Sequence, residues 1–106
     1  MALIRRTLRP DPVIRRIAEM FKALSDPTRA KLMDALSHGE LSVGQLAALV
    51  GLTPSAISHQ LRLLRSLRLV KFRRAGSRIL YSLEDAHITV LFDQCLEHVE
   101  HAGATP

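Results

Sequence analysis

Three of the five histidines fall at positions 87, 98 and 101, and Asp85 stands two residues before the first of them. Deprotonated imidazole and carboxylate are ligands for borderline divalent cations. On an α-helix, His98 and His101 share one face, as a chelating pair requires. His87 and His98 are eleven residues apart; they return almost to the same face but are displaced along the axis by roughly 16 Å. Ligand bonds of about 2 Å cannot bridge that distance. Asp85, His87, His98 and His101 converge only if a second copy of the helix runs antiparallel, offering its His98 and His101 to the Asp85 and His87 of the first. Two-fold symmetry then generates two equivalent sites. Three imidazoles and one carboxylate suit tetrahedral zinc, with cobalt as a substitute, and the absence of thiolate argues against copper(I), cadmium or lead. Taken singly, each histidine is an ordinary polar interface residue; the joint spacing is what singles them out. Four protein ligands leave no position for an activated water, and no general base stands at usable spacing, so a zinc hydrolase is disfavoured. Neither the lone Cys95 nor the scattered serines form a nucleophile arrangement, and an enzyme is not expected.

A second constellation is cationic. From Thr53 to Ser82 there are seven basic residues (Arg62, Arg65, Arg68, Lys71, Arg73, Arg74 and Arg78) and no acid, whereas Glu84 to Glu100 carries five acids and no Lys or Arg. One surface suits an anion and the other a cation. Thr53-Pro54 has the signature of a helix start, and Ile57, Leu61 and Leu64 form its apolar side. The outward positions are then Ser55, Ser58, His59, Arg62 and Arg65. Small residues at the start of such a helix allow close approach to a major groove, where His59 and Gln60 reach base edges; Arg62 and Arg65 are better placed for phosphates. Val70–Arg73 and Arg78–Leu83 read as strands of a hairpin whose tip, with Arg73, Arg74 and Arg78 around Gly76, lies along the DNA backbone or in a minor groove. An isolated basic helix is usually a solvated face, but here the helix, tight turn and basic hairpin occur in order with acid excluded throughout.

The elements that must carry these groups can be read from local signals. Residues 1–10 form a basic arm, with Asp11 as a cap and Pro12 in the first turn of a helix bearing Val13, Ile17, Met20, Phe21 and Leu24. Asp26-Pro27 opens the next helix, which Gly39 stops. Ser42 and Gln45 have capping-box spacing for a short helix ending before Gly51. A final helix runs from Glu84 or Asp85 to about His101, followed by a flexible tail at 102–106. With 106 residues, 47% of them hydrophobic and no Trp, one small core of aliphatic residues over 11–101 is expected. Cys95 shares an apolar helix face with Ile88, Leu91 and Val99, a position for dimer core rather than for a ligand. A single cysteine and the absence of a long apolar run lead to the expectation of a soluble cytoplasmic chain with no membrane partner and no small-molecule substrate.

The stretch Leu52-Thr53-Pro54-Ser55-Ala56-Ile57-Ser58-His59-Gln60-Leu61-Arg62-Leu63-Leu64-Arg65 resembles the recognition helix of the ArsR/SmtB family of metal-responsive repressors. Phe21–Arg29 resembles the family's opening segment, and Leu69 to Leu83 its wing. The resemblance implies a mainly α winged helix-turn-helix with a β-hairpin wing, a two-fold dimer through the first and last helices, and double-stranded operator DNA as partner. It also implies a last-helix zinc site with an Asp-x-His pair and a later His pair, at Asp85, His87, His98 and His101. The family's other metal site uses cysteines in the helix before the recognition helix, where this chain has none from Glu40 to Leu46. On this reading zinc releases the operator of an efflux or detoxification gene. The rival reading is a regulator of the same fold that senses no metal.

Overall fold

A computed structural model describes residues 1–103. The order is α1 (Ala2–Thr7), α2 (Asp11–Leu24), α3 (Pro27–Leu36), β1 (Leu41–Ser42), α4 (Val43–Val50), α5 (Pro54–Ser66), β2 (Val70–Ala75), β3 (Arg78–Leu83) and α6 (Ala86–Gly103). Side chains cap the starts of α3, α4 and α5. Asp26 Oδ2 accepts from the Arg29 N–H at 3.1 Å, and Thr53 Oγ1 from the Ala56 N–H at 3.1 Å. Ser42 and Gln45 close a reciprocal capping box at 3.2 and 2.9 Å. Each satisfies donors that a helix start leaves unpaired. Between α4 and α5 the chain turns at Gly51, whose φ of 79° lies in the left-handed region and whose N–H bonds the Ala47 carbonyl at 2.8 Å.

Leu32, Met33 and Leu36 of α3, Leu46 of α4, and Ile57, Leu61 and Leu64 of α5 are buried together with Leu69, just before the sheet, and Val70 and Leu83 within it. Ile57, Leu61 and Leu64 have no exposed surface; burying each contributes about 1.5–3 kcal/mol, and together they fix the rotation of α5.

Several local expectations are corrected. The arm at 1–10 contains a six-residue helix, α1, with no buried residue. Asp11 is the first residue of α2 rather than its cap; Pro10 holds the cap position and makes no side-chain bond there. The wing has a third strand: β1 pairs with β3 through Leu41↔Tyr81 and Ser42↔Leu80, giving the order β1-β3-β2. The hairpin is also longer than expected, in register from Val70↔Leu83 to Ala75↔Arg78, so its turn is only Gly76-Ser77, with Gly76 at φ 63°. Helix α6 includes Ala102 and Gly103, and the rest of the expected tail, 104–106, lies outside the described residues. Among the described residues no helix is long and apolar enough to cross a membrane.

The sheet is tied down by one ion pair. Arg73 on β2 donates to both carboxylate oxygens of Glu40, from Nε at 2.6 Å and Nη2 at 2.9 Å. By contrast, the terminal helices are poorly covered. Ala23 is the buried residue of α2, while Val13, Ile14, Ile17 and Phe21 are 43–56% exposed, and on α6 Leu96 and Val99 are 39% and 64% exposed. Val99 lines one groove with Phe21 and Leu91, and exposed apolar surface of this kind marks an interface.

Two outcomes follow. Gly51→Ala leaves space for the new Cβ, since nothing lies within 4 Å, but forces an L side chain into the left-handed region; chemical denaturation should show a loss of about 1–2 kcal/mol. An unchanged stability would remove the turn's requirement for glycine. The Arg73 hydrogen bond holds the Glu40 carboxyl below its ordinary 4.5. The pair therefore contributes fully above that ordinary value, and its contribution is lost as pH falls through the lowered one. In NMR spectra the Arg73 Nε–H signal should be displaced at neutral pH, return on acidification, and not be displaced in Glu40→Ala.

Candidate functional site

Helix α5 presents Ser55, His59, Arg62 and Arg65 as exposed side chains, with Ser58 half-buried beside them. The buried ridge at 57, 61 and 64 leaves this polar face outward. Gln60 behaves differently from the expectation that it reaches a base edge. It is half-buried, and its Oε1 accepts from Arg29 Nη1 at 3.3 Å. Arg29 Nε in turn donates to the Ala23 carbonyl at 2.6 Å. A guanidinium only donates, so the amide oxygen must face it. The pair joins the end of α2 and the start of α3 to α5.

The wing arginines separate into two environments. Arg73, expected at a basic tip, lies opposite Leu80 within the strand pair, and its charge is matched by Glu40; the hydrogen bond raises the guanidinium's already high pKa. The sequence pattern fails here because the partner lies 33 positions away. Arg74 pairs in the backbone with Ile79, and its side chain is exposed, as is that of Arg78 beside the turn. On α5, Arg65 stacks on the wing, its Cζ 4.2 Å from the centroid of the Phe72 ring. The contacts of Arg29 with Gln60 and of Glu40 with Arg73 were not legible in the sequence, since the partners are 31 and 33 positions apart, and nothing in the strand pattern marked the Phe72 contact with Arg65.

Asp85 caps α6, its Oδ1 accepting from the Ile88 N–H at 3.1 Å. That bond, and secondarily His87, hold its carboxyl below the usual carboxylate range. His87 Nδ1 lies 3.5 Å from the same Oδ1. The His87 side chain is 96% exposed and that of Asp85 50%. At the other end of α6, His98 and His101 line a shallow depression with Gln94 and Glu97. The helix between them is uninterrupted, so two donor pairs stand at opposite ends of one rod. Among the described residues, no three His, Cys, Asp or Glu side chains of the chain gather as a metal site. Cys95 is exposed and lines an apolar groove with Phe21, Leu91, Phe92 and Val99.

The family model described as bacterial regulatory protein, arsR family, matches residues 26–71, from the Asp26 cap to the first residues of β2. The transcriptional repressor SmtB homolog of Synechocystis is 49% identical over 86 residues, which cover 81% of this chain and 65% of that protein. The chain thus spans just under two thirds of that relative. The cadmium resistance transcriptional regulatory protein CadC homolog of Staphylococcus aureus is 41% identical over 77% of this chain and 69% of its own length. Among solved structures, the homodimeric winged helix-turn-helix DNA-binding domain of a Mycobacterium bovis protein superposes with a TM-score of 0.80 at 27% identity, covering 89% of this chain and 90% of that one. The element order, the exposed polar face of α5 and the three-stranded wing agree with that architecture. The chain belongs to the ArsR family of bacterial regulatory proteins, transcriptional regulators rather than enzymes.

Proposed function

We propose that this chain is a homodimeric repressor that binds two-fold operator DNA and is released from it by zinc. The observation that carries the reading is the unbroken α6, with Asp85 and His87 at one end and His98 and His101 at the other. Roughly 16 Å of helix separates the two halves, so a single ion takes all four ligands only across two chains. The donor set fits zinc, and cobalt as its substitute: each half is exposed, Asp85 is held ionised, and His87 stands beside it. Asp85 and His87 of one chain and His98 and His101 of the other would hold the ion, which would supply positive charge between the two halves. The relative named for cadmium resistance supports a metal response in general, but with one free cysteine this chain lacks the thiolates that cadmium favours.

The unit over 11–101 would form the dimer through α2 and α6, whose apolar faces are uncovered in the single chain. DNA contact is assigned to Ser55, Ser58, His59, Arg62, Arg65, Arg74 and Arg78. Gln60 and Arg73 join them only if they leave Arg29 and Glu40. Coupling to the metal site has a short route. Leu69 donates its N–H to the Leu64 carbonyl at 2.9 Å and accepts from the Glu84 N–H at 3.0 Å. The residue after Glu84 is Asp85, so a shift of the α6 start pulls on the end of the recognition helix.

Zinc titration of the purified dimer should give two ions per dimer, and saturating zinc should lower affinity for the chain's own upstream DNA by about 5- to 150-fold, the usual span of such couplings. Unchanged affinity removes the sensing claim and favours the regulator without a metal response. His98→Ala should keep operator binding and lose the zinc effect. Ile17→Glu puts a charge on the exposed face of α2 and should give a monomer in sedimentation; a dimer that persists would move the interface elsewhere.

A further inference from the structure

We propose that Phe72 of the wing is a positioning residue that holds the Arg65 guanidinium ready for a DNA phosphate. This rests on the DNA interface assigned above and adds a residue to it that makes no contact through charge or hydrogen bonding.

Phe72 lies on β2, directly opposite Tyr81, and the two rings meet at 5.7 Å with a 42° tilt. Tyr81 belongs to the residues packed against the core, so the Phe72 ring is backed on one side while it remains 38% exposed. Arg65, in the last turn of α5, places its Cζ 4.2 Å from that ring's centroid. The element carrying the arginine and the element carrying the ring are separate, so the contact orients one part of the interface against another.

The chemistry of the contact matters. The ring offers the guanidinium a cation–π contact and no hydrogen-bond acceptor of the kind a carboxylate provides, so the five N–H donors are not consumed by it. Arg65 is therefore held with its donors still free to bond a phosphate. Arg73 is the counterexample within the same fold: its Nε and Nη2 are spent on Glu40. A long side chain loses rotamer freedom when it binds, and one already held loses less. The wing thus adds to affinity by restraining a cation of the recognition helix, over and above any charge it brings itself.

The test is a double-mutant cycle on the full chain, using Phe72→Leu, Arg65→Ala and the double variant. Binding to a duplex from the chain's own upstream region is followed by fluorescence anisotropy at several salt concentrations. Phe72→Leu should weaken binding about two- to fivefold, the range of an exposed cation–π contact, and leave the salt slope unchanged because the charge remains. Arg65→Ala should reduce that slope by about one phosphate contact. In the Arg65→Ala background, Phe72→Leu should have no further effect, and Phe72→Tyr alone should bind like the unmodified chain. Equal losses from Phe72→Leu in both backgrounds would overturn the proposal and make Phe72 a packing residue of the hairpin. No binding of the unmodified chain to any duplex at low salt would overturn the DNA interface itself, and this inference with it.

Discussion

Burial of Ile57, Leu61 and Leu64 is the constraint on which the other features depend. The three side chains have no exposed surface, so α5 has one rotation and one depth available. Its polar face is consequently a fixed surface, and the positions of Ser55, His59, Arg62 and Arg65 on it follow from helix geometry. The same burial sets the end of the helix. Leu64 is both the last member of the ridge and the acceptor for Leu69, so the strand that begins the wing starts from a buried anchor. Arg68 makes the corner by taking a left-handed φ of 57°, a conformation that costs an L residue about 1–2 kcal/mol, and the flanking burial of Leu64, Leu69 and Val70 holds it there.

Charge is distributed in a way that a count of basic residues does not convey. The acid-free segment Thr53–Ser82 looks uniformly cationic in sequence. In three dimensions Glu40 reaches in from outside that segment to match Arg73, while the Phe72 ring takes Arg65 without matching its charge. Arg74 and Arg78 remain on the exposed hairpin. Arginines equal in sequence thus differ in how many donors they have left.

The features that were legible in the sequence are those decided within a few residues. The Asp26, Ser42 and Thr53 caps, the Gly51 turn and the apolar spacing of α5 each depend on neighbours within one or two helical turns, and all of them stand as read. Asp11 misled because Pro10 already has the extended backbone of a cap position. Strand β1 was illegible because two residues carry no periodicity and their partner is some forty positions away. The links from Arg29 to Gln60 and from Arg73 to Glu40 are lost for the same reason. The separation of the two donor pairs on α6 could be read because a helix converts sequence distance directly into length.

The thinly covered α2 and α6 impose an order in time. Apart from Ala23 and Ile88, the buried cluster is drawn from residues 32–83, so most of the core is completed within one chain. The apolar faces at either end of the chain gain little from that and lose water only when another surface arrives. Under the proposed dimer, covering those faces is an encounter between molecules, whose half-time lengthens as the protein becomes scarce. If the proposed dimer holds, a chain made in few copies would leave the apolar faces of α2 and α6 uncovered for longer.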